Sequence, residues 1–237
     1  MEAPVIDGFR HRGHHHVSRI ESFSDTVFAF SLTLLVVSLT VPRTFDELLR
    51  TIAGFPAFAV SFALLAQIWY YQHRFFRRYG LTDRTTIALN IALLFVVLFY
   101  TYPLKFLFAS LLSLMSNTTD VMRPEQTWEL FLVYGLGYAA MFFVFVLLYR
   151  HALGQKETLE LTPREVFQTR FSIAFSVLQI GVAVLSVLIA LGFTQVHAYA
   201  LAGFCGGMIY PVGITLGSIM IRRAYRDGGR GLESTAP

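Results

Sequence analysis

With 237 residues, 55% of them hydrophobic and 14% charged, and a positive mean hydropathy, the chain is too apolar for a soluble domain and has the composition of a protein that crosses a bilayer repeatedly. Its net charge of +4 comes from basic residues flanking apolar runs, without the basic and aromatic interleaving of a nucleic-acid face, so nucleic acid is excluded as a partner. A single cysteine, Cys205, excludes an intrachain disulfide.

The chain opens on a polar stretch containing His14, His15 and His16. Metal ligands are spaced across turns, so three adjacent histidines read as part of a tail and no metal is assigned to them. No short apolar region with a small-residue cleavage site precedes the first run, and the first helix is expected to drive insertion itself. Six apolar runs follow, approximately Phe23 to Val41, Ile52 to Gln72, Thr86 to Met115, Trp128 to Tyr149, Phe171 to Phe193 and His197 to Ile221. Roughly 20 helical residues span a hydrocarbon core about 30 Å thick. The predicted fold class is therefore an all-α membrane protein with six transmembrane helices.

Basic residues set the orientation. Arg10, Arg12 and Arg19 precede the first run, Arg74, Arg77, Arg78 and Arg84 separate the second from the third, Arg150, Lys156, Arg164 and Arg170 separate the fourth from the fifth, and Arg222, Arg223, Arg226 and Arg230 follow the sixth. That leaves only Arg43, Arg50, Lys105 and Arg123 of the 19 Lys and Arg for the other side, and the positive-inside rule puts both termini in the cytoplasm. Residues 1–18 read as a cytoplasmic tail, 19–222 as the six-helix domain and 223–237 as a Gly-rich, charged, disordered tail. Before the fifth run, Thr162-Pro163-Arg164-Glu165 has the form of a capping box with proline at the first helical position, so that helix is expected to start in the cytoplasm.

Along the first run, Phe23, Thr26, Phe30, Thr33, Val37 and Thr40 recur at three-four spacing and share one helical face. A face mixing apolar and hydroxyl groups suits a helix interface or the wall of a narrow water path, and periodicity alone favours the interface. Asp25, an ionisable residue at the entrance of an apolar run, marks the region as functional.

The residues carry more than periodicity. Arg19-x-x-x-Phe23-Ser24-Asp25, followed by Trp69 and His73 in the second run, Asn90 early in the third and Pro103 late in it, resembles the bacterial and lysosomal transmembrane potassium channels that carry an R-x-x-x-F-S-D signature. The resemblance implies a homotetramer of six-helix subunits around the first helix, functioning as a potassium-selective or potassium-preferring cation channel of the bacterial cytoplasmic membrane. Potassium would be the permeant ion, with no cofactor, and the partners would be further copies of the chain, lipids, and possible secondary monovalent cations or protons. Carried over by position, the pore lining would be Phe30, Thr33 and Val37, spanning about 10 Å along the axis. No Thr-Val-Gly-Tyr-Gly filter occurs here. Phe30 departs from the family, whose members usually carry Ile or Leu there.

A ring of apolar side chains closes a pore by expelling water, because a dehydrated cation finds no replacement ligands in it. Thr33 is the residue able to offer oxygen to an ion, the alternative being a hydroxyl bonded back to its own helix. Arg19 and Asp25, six residues apart, point to different sides of the helix. The antiparallel second helix brings Trp69 and His73 level with Asp25, so an indole or imidazole donor to Ser24 or Asp25 would latch the first helix in place. If this latch moves, protonation of His73 or Asp25 would alter gating.

Other features read more plainly. Lys105 is expected to snorkel, Pro103 to kink its helix, Asn90 to bond a neighbouring helix, and Gly203 with Gly207 and Gly213 with Gly217 to allow close packing in the sixth. No hydrolase or nucleotide-binding motif is present, which argues against an enzyme. A proton-coupled cation transporter using Asp25 and His73 is the serious rival, and a membrane scaffold the third reading.

Overall fold

Side-chain caps decide where three of the long helices begin. Ser18 opens α1 (Arg19–Val37), its amide and hydroxyl donating to Glu21 at 2.9 and 2.7 Å while the Glu21 amide returns a bond to the Ser18 hydroxyl. This capping box starts the helix four residues before the apolar run predicts. Asp83 caps α4 (Arg84–Met115), accepting from the Thr85 and Thr86 amides. Thr162 and Glu165 form the capping box of α6 (Pro163–Gln195), with Pro163 in its first turn.

The computed structural model describes residues 5–6, 9–13, 18–37, 43–53, 55–115, 126–197, 201 and 210. Besides α1, α4 and α6 it contains α2 (Phe45–Ala53), α3 (Phe55–Tyr79) and α5 (Thr127–Gly154). A small antiparallel hairpin, β1 (Val5–Ile6) with β2 (Phe9–Arg10), sets Val5 opposite Arg10 and Ile6 opposite Phe9. Apart from His197, Leu201 and Tyr210, the sixth apolar run lies outside the described residues, as do His14–His16, Thr40 and the stretch 223–237.

Helix α2 is absent from the sequence reading, which begins the second run at Ile52. Phe45, Leu48, Leu49 and Ile52 fall at i, i+3, i+4 and i+7 and give these nine residues one apolar face, all of it exposed. Helix α3 also outruns its predicted end at Gln72, because Phe75, Phe76 and Tyr79 continue a buried face past the arginines.

Among the described residues, Arg84–Leu104, Trp128–Gly154 and Pro163–Gln195 are long and apolar enough to cross a membrane. The turn 155–162 folds α6 back along α5, and small residues let the helices close: a Cβ at Gly135 would collide with Val187, and one at Gly137 with the Tyr100 ring. Aromatic edges fill the centre, where Tyr71 meets Phe142, Phe145 and Phe175 at centroid distances of 5.9–6.3 Å. Helix α1 packs against α3 and α4. Helices α3, α4 and α5 enclose a small apolar cavity between Leu64, Tyr100 and Met141.

Candidate functional site

Helix α1 has two faces of different character. Ser24, Phe28, Ser31 and Leu35, at i, i+4, i+7 and i+11, are buried against the subunit. On the opposite side Arg19, Thr26 and Thr33 are exposed, and Phe23 and Phe30 are 55% and 57% exposed. Large aromatic groups left open on a helix whose other face is closely packed form an apolar patch that lipid, water or another chain meets. Val37 is the last described residue of α1, one full helical turn after Thr33.

The hydroxyls on α1 spend their protons on their own helix. Thr26 donates to the Ser22 carbonyl, Thr33 to Ala29 and Ser31 to Val27, each at 2.9 Å. This is the back-bonded state set against ion contact for Thr33 in the sequence reading. It leaves the oxygen lone pairs of Thr26 and Thr33 unspent on the exposed face.

Two neighbouring helices hold the entrance of α1. From α3, the Trp69 indole donates to the Asp25 carboxylate at 2.7 Å, and the His73 ring stacks on that indole with centroids 5.4 Å apart. The indole is thus the donor to Asp25, and the imidazole packs behind it. From α4, the Asn90 amide donates to the Ser24 hydroxyl at 2.9 Å and accepts from the Gln72 amide at 3.1 Å. Ser24 passes its own proton to the Ile20 carbonyl at 2.7 Å. The result is a directed chain from Gln72 through Asn90 and Ser24 into the α1 backbone, with all three side chains buried. Such a chain is fully satisfied only while α1 keeps its position, so it fixes the helix against both neighbours.

Arg19 stays exposed, and no ion pair joins it to Asp25 among the described residues. Sequence reasoning missed Gln72, although it lies three residues after Trp69 and shares its side of α3. Asn90 was assigned an interhelical bond, and it makes two.

At the arginine-rich end, Asp83 joins the start of α4 to the end of α5 through His151 at 2.9 Å. Partial burial pushes the Asp83 carboxyl up, but hydrogen bonds from the Thr86 hydroxyl and amide and from His151, with the His151 charge, outweigh it and hold the group below the usual carboxylate range.

A bundle with three described helices long and apolar enough to cross a bilayer, its first helix latched by polar side chains on one face and exposed on the other among the described residues, has the make-up of an integral membrane protein. Comparison with known proteins makes the class specific. The family model of the endosomal/lysosomal potassium channel TMEM175 matches residues 19–100, a stretch containing Ser24, Asp25, Trp69, Gln72, His73 and Asn90. A potassium channel of Marivirga tractuosa is 40% identical over 221 residues, 88% of this chain and 90% of that protein. A potassium channel of Chamaesiphon minutus is 37% identical over 93 residues, 36% of this chain and 46% of that protein. Among solved structures, a variant of the potassium channel MtTMEM175 superposes with a TM-score of 0.73 at 36% identity, over 90% of this chain and 97% of that one. A lysosomal potassium-selective channel TMEM175 homologue from Chamaesiphon minutus gives 0.51 at 28% identity, over 78% and 96%. The chain belongs to the TMEM175 potassium-channel family.

Proposed function

We propose that four copies of this chain assemble in the bacterial cytoplasmic membrane, both termini in the cytoplasm, around a pore lined by α1, and conduct potassium in preference to other monovalent cations. The observation that carries the reading is the division of α1: one face is latched into the subunit while Phe23, Thr26, Phe30 and Thr33 stand exposed on the other. Closing four such faces around an axis covers them and sets Phe30, Thr33 and Val37 as successive rings along the conduction path.

The rings work by opposite means. Phe30 and Val37 exclude water and with it the hydrated ion, while the Thr33 oxygens, their protons turned to the Ala29 carbonyls, offer the cation ligands midway. Four phenyl rings make a tighter constriction than four branched aliphatic chains. The outward residues of the other helices, such as Phe95, Phe99, Val184 and Leu188, face lipid or neighbouring copies. No cofactor takes part.

Purified protein in planar bilayers tests the reading. Expected are unitary potassium currents, a larger unitary conductance for Phe30→Ile and a changed potassium-to-sodium permeability ratio for Thr33→Ala. Saturable proton-coupled flux, or no flux at all, would overturn it.

A further inference from the structure

Residues 9–13, just before α1, are built into the bundle by more contacts than a tail needs. Phe9 is fully buried, edge-on to Tyr79 at 5.4 Å and beneath the Arg78 guanidinium at 4.8 Å. The Gly13 and Arg12 amides donate to the Arg77 and Arg78 carbonyls at 3.1 and 3.4 Å, satisfying backbone acceptors that the end of α3 leaves open. Two glycines permit this approach: a Cβ on Gly13 would sit 3.0 Å from the Arg77 Cα, and one on Gly80 would sit 2.6 Å from the Arg12 carbonyl oxygen. Gly80 also ends α3 at a φ of +59°, which favours glycine.

Arg12 is the centre of the attachment. Its Nη1 and Nη2 donate to Glu165 Oε1 and Oε2 at 3.0 and 2.8 Å, its Nε donates to the Leu159 carbonyl at 2.8 Å, and its remaining protons reach the Arg10 and Glu160 carbonyls at 3.2 and 3.1 Å. All five donors of the guanidinium are used. Glu165 is 1% exposed, and its two oxygens also accept from the Arg10 amide at 2.7 Å and the Thr162 amide at 2.9 Å. Glu160 has a φ of +48°, unusual for a side-chain-bearing residue, and its carbonyl accepts from both Arg10 and Arg12.

Only residues 14–17 separate this attachment from the α1 cap at Ser18, a span of at most about 17 Å even fully extended. We infer that Arg12, through the Glu165 fork, is a positioning residue for conduction, fixing the base of α1 to α3 and α6 through a short tether. Lysine cannot replace it, because a single ammonium cannot supply two parallel bonds to the carboxylate together with three to carbonyls. The role rests on α1 being the pore helix.

The test combines single-channel recording with hydrogen exchange on the full chain, comparing wild type, Arg12→Lys, Glu165→Gln and a four-glycine insertion between Gly13 and Ser18. The insertion leaves the Arg12 fork whole and slackens only the tether, so it separates positioning from general weakening of the fold. Expected for all three variants is an open-to-closed ratio shifted about tenfold, within the range of coupling between sites, with unitary conductance unchanged and faster exchange across residues 19–25. In the insertion, protection at the start of α6 stays as in wild type. Faster exchange over 19–25 in the variants, with no current even from the wild type, would sink the pore reading while leaving Arg12 as an anchor of α1. An insertion that matches wild type in both open probability and α1 exchange would overturn the inference.

Discussion

Two polar clusters, one on α1 and one on the residues that precede it, are made differently. At the entrance of α1, Asp25 meets α3 through one indole bond and Ser24 meets α4 through one amide. At the arginine-rich end, the Glu165 carboxylate accepts from Arg12 twice, from the Arg10 amide and from the Thr162 amide. Single, directional bonds between buried groups are satisfied in one position of the helix and lost together when it rotates. A carboxylate with four donors stays paired when one of them lets go, and losing its guanidinium leaves a buried charge uncompensated. The comparison separates a latch of single bonds from a multiply bonded anchor, and both bear on the helix proposed to line the pore.

Substitutions can break or sharpen that contrast. The largest loss is expected at the multiply bonded anchor, where Phe9→Ala empties a fully buried site and should lower stability by about 3–5 kcal/mol, read as the thermal unfolding midpoint in detergent. Next, Asn90→Ala leaves Ser24 without its donor and Gln72 without its acceptor, a cost of about 1–3 kcal/mol, with a change in open probability exceeding that of an exposed control such as Leu188→Ala. Asp25→Asn keeps an oxygen for the Trp69 indole and removes the charge that strengthens the bond. It should cost about 1 kcal/mol and shift open probability less than Asn90→Ala does, so an unchanged open probability would remove Asp25 from the latch.

The smallest effect concerns acid. Because the Asp83 carboxyl is held below its ordinary value in the fold, its contribution is complete above the unfolded value of about 3.9 and is lost as pH falls through the folded value. Asp83→Asn should therefore flatten the fall in melting temperature below about pH 4, measured against wild type in the same detergent.

Much of this molecule was readable from local pattern. Helix α4 occupies the apolar run almost residue for residue, and the α6 start follows from Thr162, Pro163 and Glu165, because a capping box is written in four adjacent letters. The same grammar stood in Ser18-Arg19-Ile20-Glu21 and went unread, since hydropathy alone placed the helix start at Phe23. Helix α2 was hidden by its length, nine residues merging into the neighbouring run. The Trp69 bond to Asp25 was within reach because antiparallel helices bring those levels together. The Arg12 fork was not: its partner lies 153 residues away, and a polar stretch before a membrane helix looks the same whether it is docked or free.

The direction of two small hydroxyl groups has a last consequence. With their protons committed to the Ser22 and Ala29 carbonyls, Thr26 and Thr33 turn the negative ends of their dipoles outward. Four such helices would line their common axis with a weakly electronegative surface and no full charge. Chloride would be repelled at little expense to cation binding. Sorting one alkali metal from another would then fall to the Thr33 oxygens together with the width left between the phenyl rings beside them, so ease of exchanging hydration for neutral ligands would rank the permeating species.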